Sequence, residues 1–396
     1  MAGDFWRVSY KTIIRNLDDS NGLHSGTNWY DQAHSETVLE YLDFQYSDDT
    51  KWWCIEGGAQ QLGIKMAAKL EDPTSISYDS RITGIDASTP NMAQIQLNGQ
   101  WQGAYVGVFN STAMGCMQRM DLSKAGLNYG QKQAIRSLGY GASAKVGMKF
   151  SRPWWITDFG INQGGLGHTD LPIRTTVYPS YNLYDPPENS AVLLCSYSWQ
   201  QDAQRISTLI SSSSNHAAAL VEEAPLKELV LRDLALLHAY QPGTNLTPDE
   251  VYAKISPLYI DHYAHDWYHD DNTYGSFAFF RPQQFGSMWP YIIAPSPSVV
   301  IIGEHASNHH AWVVGALESA VHGVHGWLTQ NNFPGAQDAA KLMESWKAPT
   351  GQNPFGGLPQ FVSMKHRRWQ TRFGLANDEK FRDDLARQRR EQGKAH

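Results

Sequence analysis

Two charged residues sit where chemistry is easiest to build. Glu304 follows the β-branched run 299–302 and the strand-ending Gly303. Beyond it Val313, Ala316, Leu317, Ala320, Val321, Val324 and Leu328 recur at helical spacing, so the segment reads strand, tight turn, helix. A carboxylate at the end of a strand can accept hydrogen bonds from sugar hydroxyls. The helix start behind it offers unpaired N–H groups and partial positive charge to an anion or an electron-rich ring. An ordinary strand-to-helix junction capped by Ser307 or Asn308 has the same spacing. Lys145 lies in an alternating run in which Ala144, Val146, Met148 and Phe150 share one face while Lys145 and Lys149 share the other. Such a lysine is most often simply solvated; held beside a reacting centre, it would stabilise developing negative charge.

Other groups carry less. His262, His265 and His269 cluster with Asp266 and Asp270 without the spacing of a zinc-binding helix, so no metal site is expected. Cys54, Cys116 and Cys195 are odd in number and far apart, which gives neither a disulfide framework nor a cysteine-based zinc pattern.

Several elements must position these groups. Residues 1–48 are polar, aromatic and mostly helical in pattern. From Trp52 an apolar strand, a Gly57-Gly58 turn and a helix with Leu62, Met66, Ala67 and Leu70 on one face follow. Strands are expected at 75–78, 81–86, 93–97 and 105–109, with Asn98-Gly99 as a hairpin signal between the last two. Residues 124–138 read as a helix, 191–199 as a buried strand, and a helix begins at Asp202. Residues 222–240 form an amphipathic helix closed by Gln241-Pro242-Gly243. Thr247, Pro248 and Glu250 make a capping box for the next one. The mixed charge of 378–390 marks a solvated helix in a peripheral tail.

Composition sets bounds. The 396 residues suffice for two or more domains around a large core. A net charge of −7 leaves no broad basic face for nucleic acid. No apolar run reaches the length of a bilayer span, so no membrane association is expected, and the N-terminus has no apolar leader. Aromatic residues make up 12%, 14 of them tryptophan, which suits large apolar pockets.

The run GEHASNHHAWVVGALESA, residues 303–320, resembles the C-terminal flavin motif of the flavin-dependent amine and L-amino-acid oxidases. That motif has a Gly-Glu-His-Thr-Ser turn followed by His-Gly-Trp-Ile-Glu-Gly-Ala. By position the resemblance assigns Gly303 and Glu304 to the FAD ribose or ribityl chain, and Trp312 and Val313 to the flavin ring; Trp312 also borders the substrate. Ala311 stands where the family has Gly, and Val314 where it has an acid. Ile82 in RITGID matches a strand residue that contacts the adenine half of FAD through its backbone. Lys145, followed by Trp154-Trp155, matches the lysine that the family bridges through water to the flavin, and so is the catalytic candidate. Tyr178, beside Pro179, matches a tyrosine that binds the substrate carboxylate. Asp266-Trp267 and 275–285 match an aromatic stretch that lines or backs the substrate pocket.

The resemblance implies an α/β (mixed α+β) fold. Residues 49–138 and 288–330 would be parts of a FAD-binding domain, 139–287 the substrate-binding domain, 1–48 a helical segment and 331–396 a C-terminal extension. It implies FAD as cofactor, and an amine or amino acid with O2 as reactants. The expected reaction is oxidative deamination of an L-amino acid to the 2-oxo acid, ammonia and H2O2. A monoamine or polyamine oxidase, or a non-catalytic partner subunit, are the rival expectations. No G-x-G-x-x-G in a βαβ context occurs, so the chain resembles the C-terminal two-thirds of such an oxidase. A homo-oligomer, or a second chain that supplies the dinucleotide-binding βαβ segment, would accommodate that.

Overall fold

The computed structural model describes residues 32–33, 35–37, 53–239, 244–294, 296–331 and 334–344. Most of the two expected terminal segments, 1–48 and 331–396, lies outside these residues. From the N-terminal side come β1 (Ile82–Asp86), β2 (Ala93–Leu97), β3 (Gln100–Tyr105), β4 (Val108–Asn110) and β5 (Asp121–Lys124). Then follow β6 (Gly139–Tyr140), β7 (Ser143–Phe150), β8 (Gly165–His168), β9 (Thr175–Tyr178) and β10 (Ala191–Trp199). The last are β11 (Tyr259–Asp266), β12 (Ala278–Phe279) and β13 (Val299–Ile301). Helix and strand are thus mixed, as expected.

The largest sheet has the order β11-β7-β10-β9-β8, with antiparallel pairing throughout. The alternation read from the sequence of β7 holds: Ala144, Val146, Met148 and Phe150 are buried, Lys145 is half-buried and Lys149 is exposed. The inward face packs on the helices Gln200–Ser207, Ala224–Ala239 and Pro248–Ile255, which contribute Ala203, Ile206, Leu226, Val230, Leu234, Val251 and Ile255 to one core. Each of the buried valine, leucine and isoleucine side chains among them stabilises by about 1.5–3 kcal/mol. The capping box at Thr247 forms as expected: its hydroxyl accepts from the Glu250 N–H at 3.3 Å, and Glu250 accepts from the Thr247 N–H at 2.8 Å.

A second sheet has the order β3-β2-β1-β5, and β4 pairs in parallel with β13. Asn98-Gly99 does turn a hairpin, both with positive φ (48° and 80°). Its return strand is β3, however, starting directly at Gln100, and the expected strand at 105–109 is split by Val106 and Gly107. No strand forms at 75–78. Asp72 accepts from the N–H and hydroxyl of Thr74 at 2.9 and 2.6 Å, which closes Pro73–Ser75 into a 3-10 turn. The helix read at 124–138 is shorter, Tyr129–Ser137, because Asn128 and Gln131 form a capping box there.

Candidate active site

β7 is an interior strand of its sheet, between β11 and β10, so Lys145 has a cross-strand neighbour on each side, Tyr197 on β10 and His265 on β11. The aromatic ring of Tyr197 lies with its centroid 4.5 Å from Lys145 Nζ, and that of Trp267, just past β11, at 5.2 Å. Ring quadrupoles attract an ammonium at this range. Partial burial pulls the other way and holds the Lys145 ammonium below the ordinary lysine range. The start of β7 is laced to the segment that carries the aromatic wall. Trp267 N–H donates to the Ser143 carbonyl at 3.1 Å, and Ser276 donates to the Gly141 carbonyl through both its N–H and its hydroxyl, at 2.9 and 2.8 Å.

Glu304 arrives from the other side. β13 ends at Ile301, Gly303 takes φ 114°, and residues Glu304–Ala306 make one 3-10 turn before the helix Val313–Gln330. The glycine is required there. A Cβ on Gly303 would stand 2.8 Å from the His305 ring, and its N–H donates to Ser319 Oγ of the helix at 2.6 Å. Ser307 serves this turn and not the helix as a cap: its Oγ donates to the Glu304 carbonyl at 2.8 Å and accepts from the His309 N–H at 3.0 Å. The Glu304 carboxylate accepts from the Ala278 N–H at 2.9 Å and the Ala311 N–H at 3.2 Å. Desolvation pushes its pKa up, opposed first by the nearby His310. His310 is held in turn by a buried partner that the sequence did not point to. Glu36 accepts from or pairs with His310 Nδ1 at 2.7 Å, and its other oxygen accepts from the Phe280 N–H at 3.2 Å.

These two approaches meet in one cavity of about 340 Å³. Lys145, Tyr197, Trp267, Glu304, Trp312 and Val313 all line it. Four of the residues singled out in the sequence, Lys145, Glu304, Trp312 and Val313, are therefore brought together, with Gly303 shaping the turn that delivers Glu304. Trp267 and Phe277, from the aromatic stretch, line it as well. Ser143 and Tyr197 were missed, because which residues flank Lys145 is set by strand register and not by any local pattern. The other two candidates lie elsewhere. Ile82 is half-buried at the start of β1, opposite Leu97. Tyr178 is at the end of β9, and its hydroxyl is 2.8 Å from His238 Nε2. His238 Nδ1 donates to the Leu234 carbonyl at 2.7 Å, so Nε2 is the acceptor and Tyr178 donates. Burial pulls the His238 pKa down to about 4 and keeps the ring neutral. The Tyr178 hydroxyl is thus committed inside the core, away from the Lys145 cavity. The clustered histidines each face one carboxylate: His262 pairs with Glu223, His265 with Asp270 and His269 with Asp266.

The residues fit a flavin. The cavity has the size of a ligand site, presents aromatic and aliphatic side chains to a flat ring, and carries one cation and one carboxylate at its edge. At its rim Val313 and Val314 expose apolar surface on the first turn of the helix. Ala311, which stands in for the family's Gly, has φ 66°, the left-handed conformation for which glycine is the favoured residue.

Comparison with known proteins gives the family and the fold. A putative bifunctional amine oxidase of Dictyostelium discoideum is 34% identical over 313 residues, covering 76% of this chain and 27% of its own length. L-amino-acid oxidase 4 of Hebeloma cylindrosporum is 34% identical over 372 residues, covering 86% of this chain and 55% of its own. The chain thus spans about half, or less, of these relatives. Among solved structures, a redesigned putrescine oxidase superposes with a TM-score of 0.61 at 15% identity, over 83% of this chain and 69% of that one, which is a likeness of fold. The family model for flavin containing amine oxidoreductases matches residues 7–324. The chain belongs to the flavin-containing amine oxidoreductases, a family of flavin-dependent enzymes whose cofactor is FAD.

Proposed function

We propose that this chain carries the flavin-ring and substrate side of an L-amino-acid oxidase. The observation that supports this most is the meeting of Lys145 and Glu304, from separate parts of the chain, in one aromatic-walled cavity. Held by these residues, FAD would supply two-electron oxidation of the amino acid to the imino acid, which water hydrolyses to the 2-oxo acid and ammonia, with O2 taking up the two electrons and two protons as H2O2.

The protein's own groups have distinct tasks in this reading. Glu304, fixed by two backbone N–H groups, keeps lone pairs free to accept from a ribityl or ribose hydroxyl. Ile82 and Gly303 border the nucleotide half, and Trp312 and Val313 face the ring. Tyr197 and Trp267 hold the Lys145 ammonium in place and exclude bulk water around it. That ammonium stabilises negative charge as oxygen is reduced, its N–H groups can hold a water in position, and the lowering of its pKa by burial favours proton exchange with that water. Tyr178 has no part here, since its hydroxyl serves His238. The likeness to the Hebeloma protein, an L-amino-acid oxidase by name, supports amino acids as the substrates in this reading.

Stopped-flow kinetics with Lys145→Met test the assignment. The flavin-reduction step by L-amino acids should change by less than about threefold, while reoxidation by O2 should slow by about 100-fold, within the range expected for one positioned electrostatic or proton-transfer group. Unchanged oxygen reactivity would remove Lys145 from the mechanism. A parallel peroxide screen with L-amino acids and putrescine separates the amino-acid reading from an amine oxidase.

A further inference from the structure

Glu36 and Glu304 reach one backbone edge from opposite ends of the chain. β12 pairs with β6 along its first edge, Ala278 opposite Tyr140 and Phe279 opposite Gly139. Along its second edge no strand lies among the described residues, and two carboxylates take the N–H groups instead. Glu304 Oε1 accepts from the Ala278 N–H at 2.9 Å, and Glu36 Oε2 accepts from the Phe280 N–H at 3.2 Å. N–H groups two residues apart on a strand face the same way at a spacing of about 6.6 Å, so the two carboxylates stand side by side. The segment that carries Glu36 grips Phe280 a second time, the Ala33 N–H donating to the Phe280 carbonyl at 2.7 Å.

The remaining two oxygens close a ring. Glu36 Oε1 accepts from His310 Nδ1 at 2.7 Å. A carboxylate only accepts, so Nδ1 carries a hydrogen whether or not the imidazole is charged. The residue after His310 supplies the other donor to Glu304: the Ala311 N–H reaches Oε2 at 3.2 Å. Each of the two donors that fix Glu304 is thus anchored by one oxygen of Glu36, Ala278 by way of Phe280 and Ala311 by way of the His310 ring. That ring also lies against Phe280, with centroids 4.9 Å apart. Ala311 needs such an anchor, since its φ of 66° is a conformation that alanine keeps only where its surroundings impose it.

The side chains of Glu36 and His310 are 8% and 5% exposed, and neither lines the Lys145 cavity, whereas Glu304 does. Whatever they do for a ligand there passes through Glu304. We propose that Glu36 and His310 are a positioning pair for FAD, which fixes the Glu304 carboxylate for the cofactor hydroxyl it accepts from. The inference rests on the reading of Glu304 as that acceptor and adds two residues that do not touch the cofactor. With both of its donors held, Glu304 keeps one orientation, and its free lone pairs keep one direction toward the cavity.

FAD titrations of the purified full chain, read by flavin fluorescence, test it in a double-mutant cycle. Glu36→Gln keeps the size of the side chain but turns an amide NH2 toward one of its two donors, and should weaken FAD binding about fivefold. Glu304→Gln should weaken it about tenfold, and adding Glu36→Gln to Glu304→Gln should weaken it by no more than about twofold further, since the first change acts through the second residue. His310→Ala should match Glu36→Gln, while His310→Asn, whose amide can still donate to Glu36, should recover most of that loss. Circular dichroism confirms that each variant is folded, and the His310 variants carry the test if Glu36→Gln is not. Two results would overturn the pair while leaving Glu304 at the cofactor: weakening by Glu304→Gln alone, or single effects that multiply to about fiftyfold in the double variant. Unchanged binding in Glu304→Gln, or no saturable binding by the unaltered chain, would instead remove Glu304 from the cofactor site and the pair with it.

Discussion

The sheet built around β7 and the strip from 53 to 105 use their apolar residues differently. In the first, the inward side chains of β7 and β10 and the facing side chains of three helices are all consumed in one core. In the second, the helix Gln60–Ala67 buries none of its residues, β3 is exposed along its whole length, and Trp53, Ile64 and Met66 stand 85%, 55% and 49% exposed. The helical periodicity of Leu62, Met66 and Leu70 is as clear as that of the buried helix Ala224–Ala239. Periodicity says that a face is apolar; it does not say that anything lies against it. The β7 body buries its inward apolar face against its own helices, while the strip, on the side that the resemblance gives to the nucleotide half of FAD, leaves apolar side chains exposed.

Substitutions can sharpen or break this contrast. The largest effect belongs to the closed body: Leu234→Ala, at a fully buried position, should cost about 2–5 kcal/mol in chemical denaturation. Next comes Tyr178→Phe. It strips His238 Nε2 of its donor inside the core and should cost about 1–3 kcal/mol by the same measurement. At the cavity, Ala311→Gly should stabilise by about 1 kcal/mol, since it relieves a left-handed alanine. The smallest effect is expected in the strip, where Met66→Ala should shift stability by less than about 0.5 kcal/mol. A cost for Met66→Ala as large as that for Leu234→Ala would show the strip to be packed like the body.

The sequence carried local features well and long-range ones poorly. Alternation in β7, the Asn98-Gly99 turn and the Thr247 capping box are written in neighbouring residues, and they form as read. Ala311 was visible as a departure from the family's glycine, and its positive φ supplies the physical reason for that glycine. Partners of Lys145 were not visible, because Tyr197 and His265 are chosen by the register of strands distant in the chain. Glu36 reaching His310 is of the same kind: a single ion pair across most of the chain has no local signature. Tyr178 shows the converse limit. A tyrosine at a strand end fits a motif equally well whether its hydroxyl faces a ligand or, as here, a buried histidine.

The central claim is that one cavity holds the flavin, with Lys145 and Trp312 at its ring and Glu304 at its ribityl or ribose hydroxyls. Visible absorption of the purified chain titrated with FAD tests it most directly, together with the Glu304→Gln and Trp312→Ala variants. The account predicts saturable binding with perturbed flavin bands in the wild type, about tenfold weaker binding in Glu304→Gln through one lost charge-assisted hydrogen bond, and an altered band shape in Trp312→Ala. A free-FAD spectrum at every concentration, or identical affinity and band shape in all three proteins, would contradict it.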